Sequence, residues 1–458
     1  MSKNSVLFVI YDFPPEGARG TKRSIKFIRY LPQNDWSTVI LTVECSPTKC
    51  SEDKSLFAEL PPDLVVYRAR TLESLFHGNS AHSAPPQATA GAPKTTTATA
   101  PKRPSALRRM LLWAFRTVGK ATRIPDARIL WLPFAVIMGY RAAKRHQCKV
   151  LYSSGPTHTN HMAGAMLSLL TGLPLVMDFR DAWVGNPAAP ELGFWIGGWN
   201  RLFEKTCIRI AKCVVCTTDG IKADFEKRYP SIPNKYVTIT NGFDRSDFSS
   251  DVVLGPAPKT PVMTMLHAGT LGEERSPREF LQALGEIAKE NPALRAGVKA
   301  VFVGKNTPFN DGHTIEQYLD MFNCRDMVNI AGYVSRKESL DYMIQSNVLL
   351  LIIGRVPKEG AFVYGISGKL YDYAAAGKPV LTLSEPGSTA AVAERLTLGP
   401  VVDLDNIDQI KTAILALWKS HKAEAIPYSP NLELLKSFEF SSLAGRLAES
   451  FNQVSKQG

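Results

Sequence analysis

VLFVIYDFPPEGARGTKRSIKFIRYLPQNDWSTVILTV, residues 6–43, decides the fold class. Val6 to Ile10 is an unbroken apolar run, the pattern of a parallel strand covered on both faces. Pro14, Pro15, Gly17 and Gly20 then form a tight loop. Ile25, Ile28 and Leu31 recur at helical spacing, and Trp36 to Val43 returns to strand. Strand, loop, helix, strand is a βαβ unit, the seed of a doubly wound sheet.

The same alternation continues outward. Val150–Ser154, Leu175–Met177 and Cys213–Thr217 read as strands, and Val237 to Asp244 as a strand running into a turn. A Pro- and Gly-containing linker, residues 251–261, separates these from a second series. There, strands are expected at Met263–His267, Val298–Val303, Val328–Ile330, Val348–Ile353 and Val380–Leu383. Helices fall at Phe280–Ala288, Ile315–Phe322, Glu338–Ile344 and Leu370–Ala376. A chain of 458 residues exceeds what one hydrophobic core supports. The reading is therefore two α/β domains, residues 1–250 and 258–425, with a helix over 430–455 that could pack back on the first. Two such sheets facing each other leave a cleft, and ligands bind at the carboxyl ends of the strands.

Composition narrows the function classes. The chain is 45% hydrophobic and 21% charged, which excludes disordered, collagenous and coiled-coil classes. Its net charge of +12 favours anionic partners. Residues 78–104 contain no large apolar side chain and are expected to be a disordered insertion. From Lys102 to Arg128 eight bases oppose the single acid Asp126, so +7 of the +12 is local. With Leu107, Leu111, Trp113, Phe115 and Val118 interleaved, residues 105–124 read as a basic amphipathic helix on an anionic membrane surface. The alternative is a basic helix packed on its own domain. No nucleic-acid motif is present. No signal peptide and no spanning segment is recognised, and seven scattered cysteines suit a reducing compartment. The expected location is cytoplasmic, peripheral on the inner face of the cell membrane. The Cys213-x-x-Cys216 pair lacks a second pair, and no metal is expected.

Several strand ends carry chemistry. The loop holding Gly17 precedes a helix N-terminus, where a ligand's phosphate is favoured. Asp178-Phe-Arg-Asp-Ala-Trp183 follows a strand. Asp178 can pair with Arg180 and simply hold the loop, which leaves Asp181 as the ligand-facing acid. His158 and His161 lie in SSGPTHTNH. His267-Ala-Gly-Thr-Leu-Gly-Glu-Glu-Arg275 opens a helix, and a guanidinium beside free backbone N–H groups suits a diphosphate. In YGISGKLYDYAAAGKPV, residues 364–380, the loop Gly365, Ser367, Gly368 leads into a helix with Lys369 and Asp372. An acid one turn into that helix suits a ribose diol.

Together YDFPPEGARGTKRSIKF, SSGPTHTNH, DFRDAW, TNGFD, HAGTLGEERSP and GKLYDYAAAGKPV resemble glycosyltransferase family 4 of the GT-B fold, in the family's order. The resemblance implies sugar transfer, with retention, from a nucleotide diphosphate sugar to a glycan or lipid-linked acceptor, in cell-surface polysaccharide synthesis, with no resident cofactor. It implies that Arg275 meets the donor diphosphate, Gly17 lies near its phosphate, and Gly365–Gly368 with Lys369 form the donor loop. Asp372 takes the place of the family's ribose-binding glutamate. Asp181 and His161 face the transferred sugar or acceptor, and with Arg275 form the expected catalytic set. One departure stands out: the family's first acid, eight residues before Asp372, is Tyr364 here, with Glu359 five residues further upstream. A sugar-nucleotide epimerase of the same architecture, or a non-catalytic nucleotide-sugar-binding protein, remains open at this level.

Overall fold

The structure is a computed structural model that describes residues 4–15, 21–44, 59–72, 124–185, 193–232, 235–248, 260–273, 275–355 and 365–456. The expected insertion at 78–104, the basic stretch up to Arg123, and Gly17, Glu359 and Tyr364 lie outside the described residues.

Seven parallel strands form the first sheet: β1 (Asn4–Val9), β2 (Trp36–Val43), β3 (Val65–Ala69), β4 (Val150–Ser154), β5 (Leu175–Phe179), β6 (Cys213–Cys216) and β7 (Tyr236–Thr238). Their order is β3-β2-β1-β4-β5-β6-β7. Between them run α1 (Thr21–Tyr30), α2 (Leu132–Arg145), α3 (Thr159–Thr171), α4 (Gly193–Ile210) and α5 (Asp219–Arg228). Pro133 sits in the first turn of α2, where a missing N–H costs nothing, so the apolar run that it interrupts still forms a helix. The strand expected to run into a turn over 237–244 does so: β7 ends at Thr238, and beyond it the backbone turns to meet Arg23 and the tail.

The second sheet holds β8 (Met263–Ala268), β10 (Val298–Val303), β12 (Val328–Gly332), β13 (Val348–Ile352), β14 (Val380–Leu383) and β15 (Val401–Val402), in the order β12-β10-β8-β13-β14-β15. A small two-stranded sheet, β9 (Leu271–Glu273) with β11 (Asn306–Phe309), flanks it. The helices are α6 (Arg278–Glu290), α7 (Pro292–Gly297), α8 (Ile315–Met321), α9 (Arg336–Gln345), α10 (Gly368–Ala376), α11 (Ser388–Arg395) and α12 (Ile407–Lys422). Gly377, at φ 68°, ends α10 in the left-handed conformation that glycine adopts without steric cost.

Both sheets share one doubly wound topology. In each, the chain starts centrally, winds to one edge, then crosses to the other side, so the crevice opens between β1 and β4 and between β8 and β13. Each sheet is buried on both faces by apolar side chains. After α13 (Leu432–Ser437), α14 (Phe440–Ser455) returns to the first sheet. Its Phe440, Leu443, Leu447 and Phe451 join Val6, Phe8 and Tyr152 in one core.

Candidate active site

The first crevice is built around a closed charge. Asp178, at the end of β5, has no exposed surface. It accepts two hydrogen bonds from Arg23, from Nε and Nη2, each 3.0 Å, one from the Tyr152 hydroxyl at 2.6 Å and one from Ser154 at 3.0 Å. Burial alone would raise its pKa, but the Arg23 charge and these hydrogen bonds outweigh it and bring the pKa down. Arg23 also donates to the carbonyls of Ile239 and Thr240 at 2.8 and 2.5 Å. The local pairing of Asp178 with Arg180 is therefore replaced by one spanning 155 residues. Arg180 instead donates to the Gly155 carbonyl.

His161 occupies the first turn of α3 and is fully buried. Its Nδ1 meets the Ser153 hydroxyl at 2.9 Å, and among the described residues its Nε2 has no hydrogen-bond partner. Burial pushes its pKa down to about 3, so the ring is neutral. His158 stacks on Trp183, with 4.7 Å between ring centres and a 3° tilt. Asn160 ties the two loops together, accepting from Tyr11 N at 3.1 Å and donating to the Ser154 carbonyl at 2.7 Å. The Asp181 side chain reaches the surface. Surrounding protein raises its pKa against the pull of Arg180.

The second crevice holds a lysine and an arginine. His267, at the end of β8, is fully buried, and its Nδ1 lies 2.9 Å from the Leu350 carbonyl. A carbonyl only accepts, so Nδ1 carries the proton and Nε2 offers a lone pair. Lys369, one residue into α10, points its ammonium at that lone pair from 3.1 Å. The Lys369 stem crosses Gly269, where φ is 147° and a Cβ would lie 2.1 Å from Lys369 Cε, so only glycine leaves this path open. Burial, then the neighbouring Arg275 charge, lowers the Lys369 pKa to about 7. Arg275 is held by a backbone exchange with Gly272, at 2.9 and 3.2 Å. The loop before α10 is fixed by Thr389, whose hydroxyl accepts from Ser367 N at 3.1 Å and donates to the Gly365 carbonyl at 3.3 Å. Gly368 is the first residue of α10 and is exposed.

Asp372 lies one turn further along α10, and its carboxylate is already engaged. Arg336 binds both oxygens, at 2.9 and 2.7 Å, and Lys22 of α1 approaches to 3.7 Å. Asp247 lies 3.2 Å from Lys22 and 3.7 Å from Arg336. This ring of two acids and two bases links the halves. Arg275 and Lys369 are thus brought together, whereas Asp372 keeps other company. Reading the sequence missed His267, Arg23 and Arg336 as site-shaping residues. The HAGT segment held the only local signal, a histidine closing a strand.

The architecture is that of two-domain GT-B proteins. The family model of Glycosyltransferase Family 4 matches residues 94–247, and that of Glycosyl transferases group 1 matches residues 263–420. The chain is a glycosyltransferase of these families. No curated protein sequence matches it. Among solved structures, a glycosyltransferase from Rickettsia africae aligns with TM-score 0.60 and 11% identity, over 100% of both chains. Sucrose-phosphate synthase from Thermosynechococcus elongatus aligns with TM-score 0.59 and 14% identity, over 99% of this chain and 100% of its own. Anabaena HepE, solved in complex with UDP, gives 0.52 and 13%, over 99% and 98%. At these identities the likeness is one of fold. Among the described residues no group of three or more His, Cys, Asp or Glu side chains is placed to hold a metal ion. None of their helices is long and apolar enough to cross a membrane.

Proposed function

We propose that the chain transfers a sugar, with retention at the anomeric carbon, from a nucleotide diphosphate sugar to a glycan or lipid-linked acceptor. The observation that carries this reading is the crowding of Lys369 against Arg275 at the end of β8, beside the N-terminus of α10. A lysine held near pKa 7 by burial and a like charge regains its proton when an anion arrives. A diphosphate supplies that anion, and HepE, of the same fold, is described with UDP.

In this reading the donor's C1–O bond to the diphosphate breaks as the acceptor oxygen bonds to C1. The acceptor's proton passes to the departing phosphate. Negative charge growing on the leaving group is met by Arg275, Lys369 and the amides of the Gly365–Gly368 loop. Neutral His161 offers Nε2 to a sugar hydroxyl, and Asp181 stands at the mouth of the same crevice. Cleft closure excludes water and so protects the donor from hydrolysis. A lipid-linked acceptor would place the work at a membrane, in surface-polysaccharide synthesis. Donor turnover by the Arg275→Ala variant tests the assignment. A kcat loss of about 10²–10³ is expected with the fold intact. Near-normal turnover would refute it, and release of a free epimerised sugar nucleotide without any acceptor would point to an epimerase instead.

A further inference from the structure

Helices α2, α3 and α4 lie side by side over one face of the first sheet. Their inner sides, among them Ala135, Ala163, Leu167 and Ile208, are buried in its core. A surface helix normally turns polar residues outward. These three do not. Ile137 is 53% exposed, Leu169 70%, Leu170 58%, Trp199 50% and Leu202 51%. Eight of the twelve exposed large apolar side chains among the described residues belong to this one layer. Scattered apolar residues need no explanation, but a gathered patch of this kind marks an interaction surface.

Charge selects the occupant. No Asp or Glu occurs between Asp126 and Asp178. On α4 the single acid, Glu204, is buried and bound by Arg228 and Tyr229. Arg141, Lys144, Arg145 and Arg209 are all exposed toward the C-terminal ends of α2 and α4. Lys144 lies 5.9 Å from the Tyr140 ring, a base and an aromatic in one place. A second copy docking face to face would set these bases against their own kind. An anionic bilayer complements both features at once, taking the apolar side chains at its acyl boundary and the bases at its headgroups.

We propose that the α2–α3–α4 layer is a docking face for an anionic lipid bilayer. This goes beyond the glycosyl-transfer reading, under which a lipid-linked acceptor gives the docking its purpose. The residues named here are other than 105–124, of which the structure describes only the last.

Co-sedimentation of the full chain with vesicles tests it, in phosphatidylcholine with and without phosphatidylglycerol. The wild type should bind only the phosphatidylglycerol vesicles. The Leu169→Ser/Leu170→Ser/Trp199→Ser variant should lose about a hundredfold in partitioning with its melting temperature unchanged. Should the triple variant fold poorly, Leu169→Ser alone should lose about tenfold. Arg141→Glu/Arg145→Glu should also weaken binding and flatten its salt dependence. Wild-type-like binding by the folded serine variants would overturn the proposal, as would a wild type that ignores vesicles. A salt-resistant dimer dispersed by the serine substitutions, without vesicle binding, would show the face to join two copies and would equally overturn it. No substrate is used, so the transfer reading stands or falls separately on the Arg275 variant.

Discussion

At the end of β5 a buried carboxylate is matched donor for donor: Asp178 meets Arg23, Tyr152 and Ser154. At the end of β8 a half-buried ammonium meets a neutral imidazole beside a guanidinium: Lys369 meets His267, and the Arg275 charge lowers its pKa. The two sheets wind alike, but these strands hold different places in the winding: β8 is the counterpart of β1, the central first strand, and β5 the counterpart of β14. The first crevice thus sets His161 beside a matched charge, whereas the second gathers Lys369 and Arg275, the pair that the proposed function assigns to the donor's diphosphate.

The contrast breaks most easily at its structural end. Arg23→Met leaves Asp178 buried without a counter-charge, and should cost about 3–5 kcal/mol in denaturant unfolding. A loss below about 1 kcal/mol would mean that the pair is not what closes the loop. Next comes the Arg275→Ala turnover loss, which should leave the fold intact. The third effect depends on pH. Lys369, with its pKa lowered to about 7, is charged below that value and neutral above it in the empty site. A bound diphosphate raises the pKa again, so each binding event above pH 7 takes up a proton. Affinity should be full on the acid side and fall by up to about tenfold per pH unit above about 7. Calorimetry with UDP in buffers of different ionisation enthalpy reads the proton uptake. A flat profile that Lys369→Met leaves unaltered would remove Lys369 from the site. Smallest is Lys22→Ala. Its side chain is 37% exposed and its ammonium bridges Asp247 and Asp372 at 3.2 and 3.7 Å, so the change should stay within about 1 kcal/mol.

Much of the fold is written in contiguous residues. Trp36–Val43, Val298–Val303 and Val380–Leu383 are strands at their expected bounds, because a doubly covered strand needs an unbroken apolar run. β3 escaped notice because Val65–Ala69 is an edge strand, half-buried and carrying Arg68. β15 is two residues long, too short for any period to register. The glycine-bearing segments that hold Arg275 and Lys369 could be read from neighbouring residues. The mutual approach of these two side chains could not, and neither could the engagement of Asp372 by Arg336 across 36 residues.

By itself the sequence determined the alternation of strands and helices, the division into two sheets, and the strand ends where chemistry could sit. Apolar periodicity and turn residues act over a few neighbours, so a linear chain records them directly. Tertiary structure alone decided which charges meet: Arg23 with Asp178, Arg336 with Asp372, and Lys369 with His267 rather than with an acid. It also decided that Leu169, Leu170 and Trp199 face outward. Those outcomes depend on strand order and on which helix covers which face, and distance through space, not along the chain, sets the strength of a charge pair or the burial of a side chain.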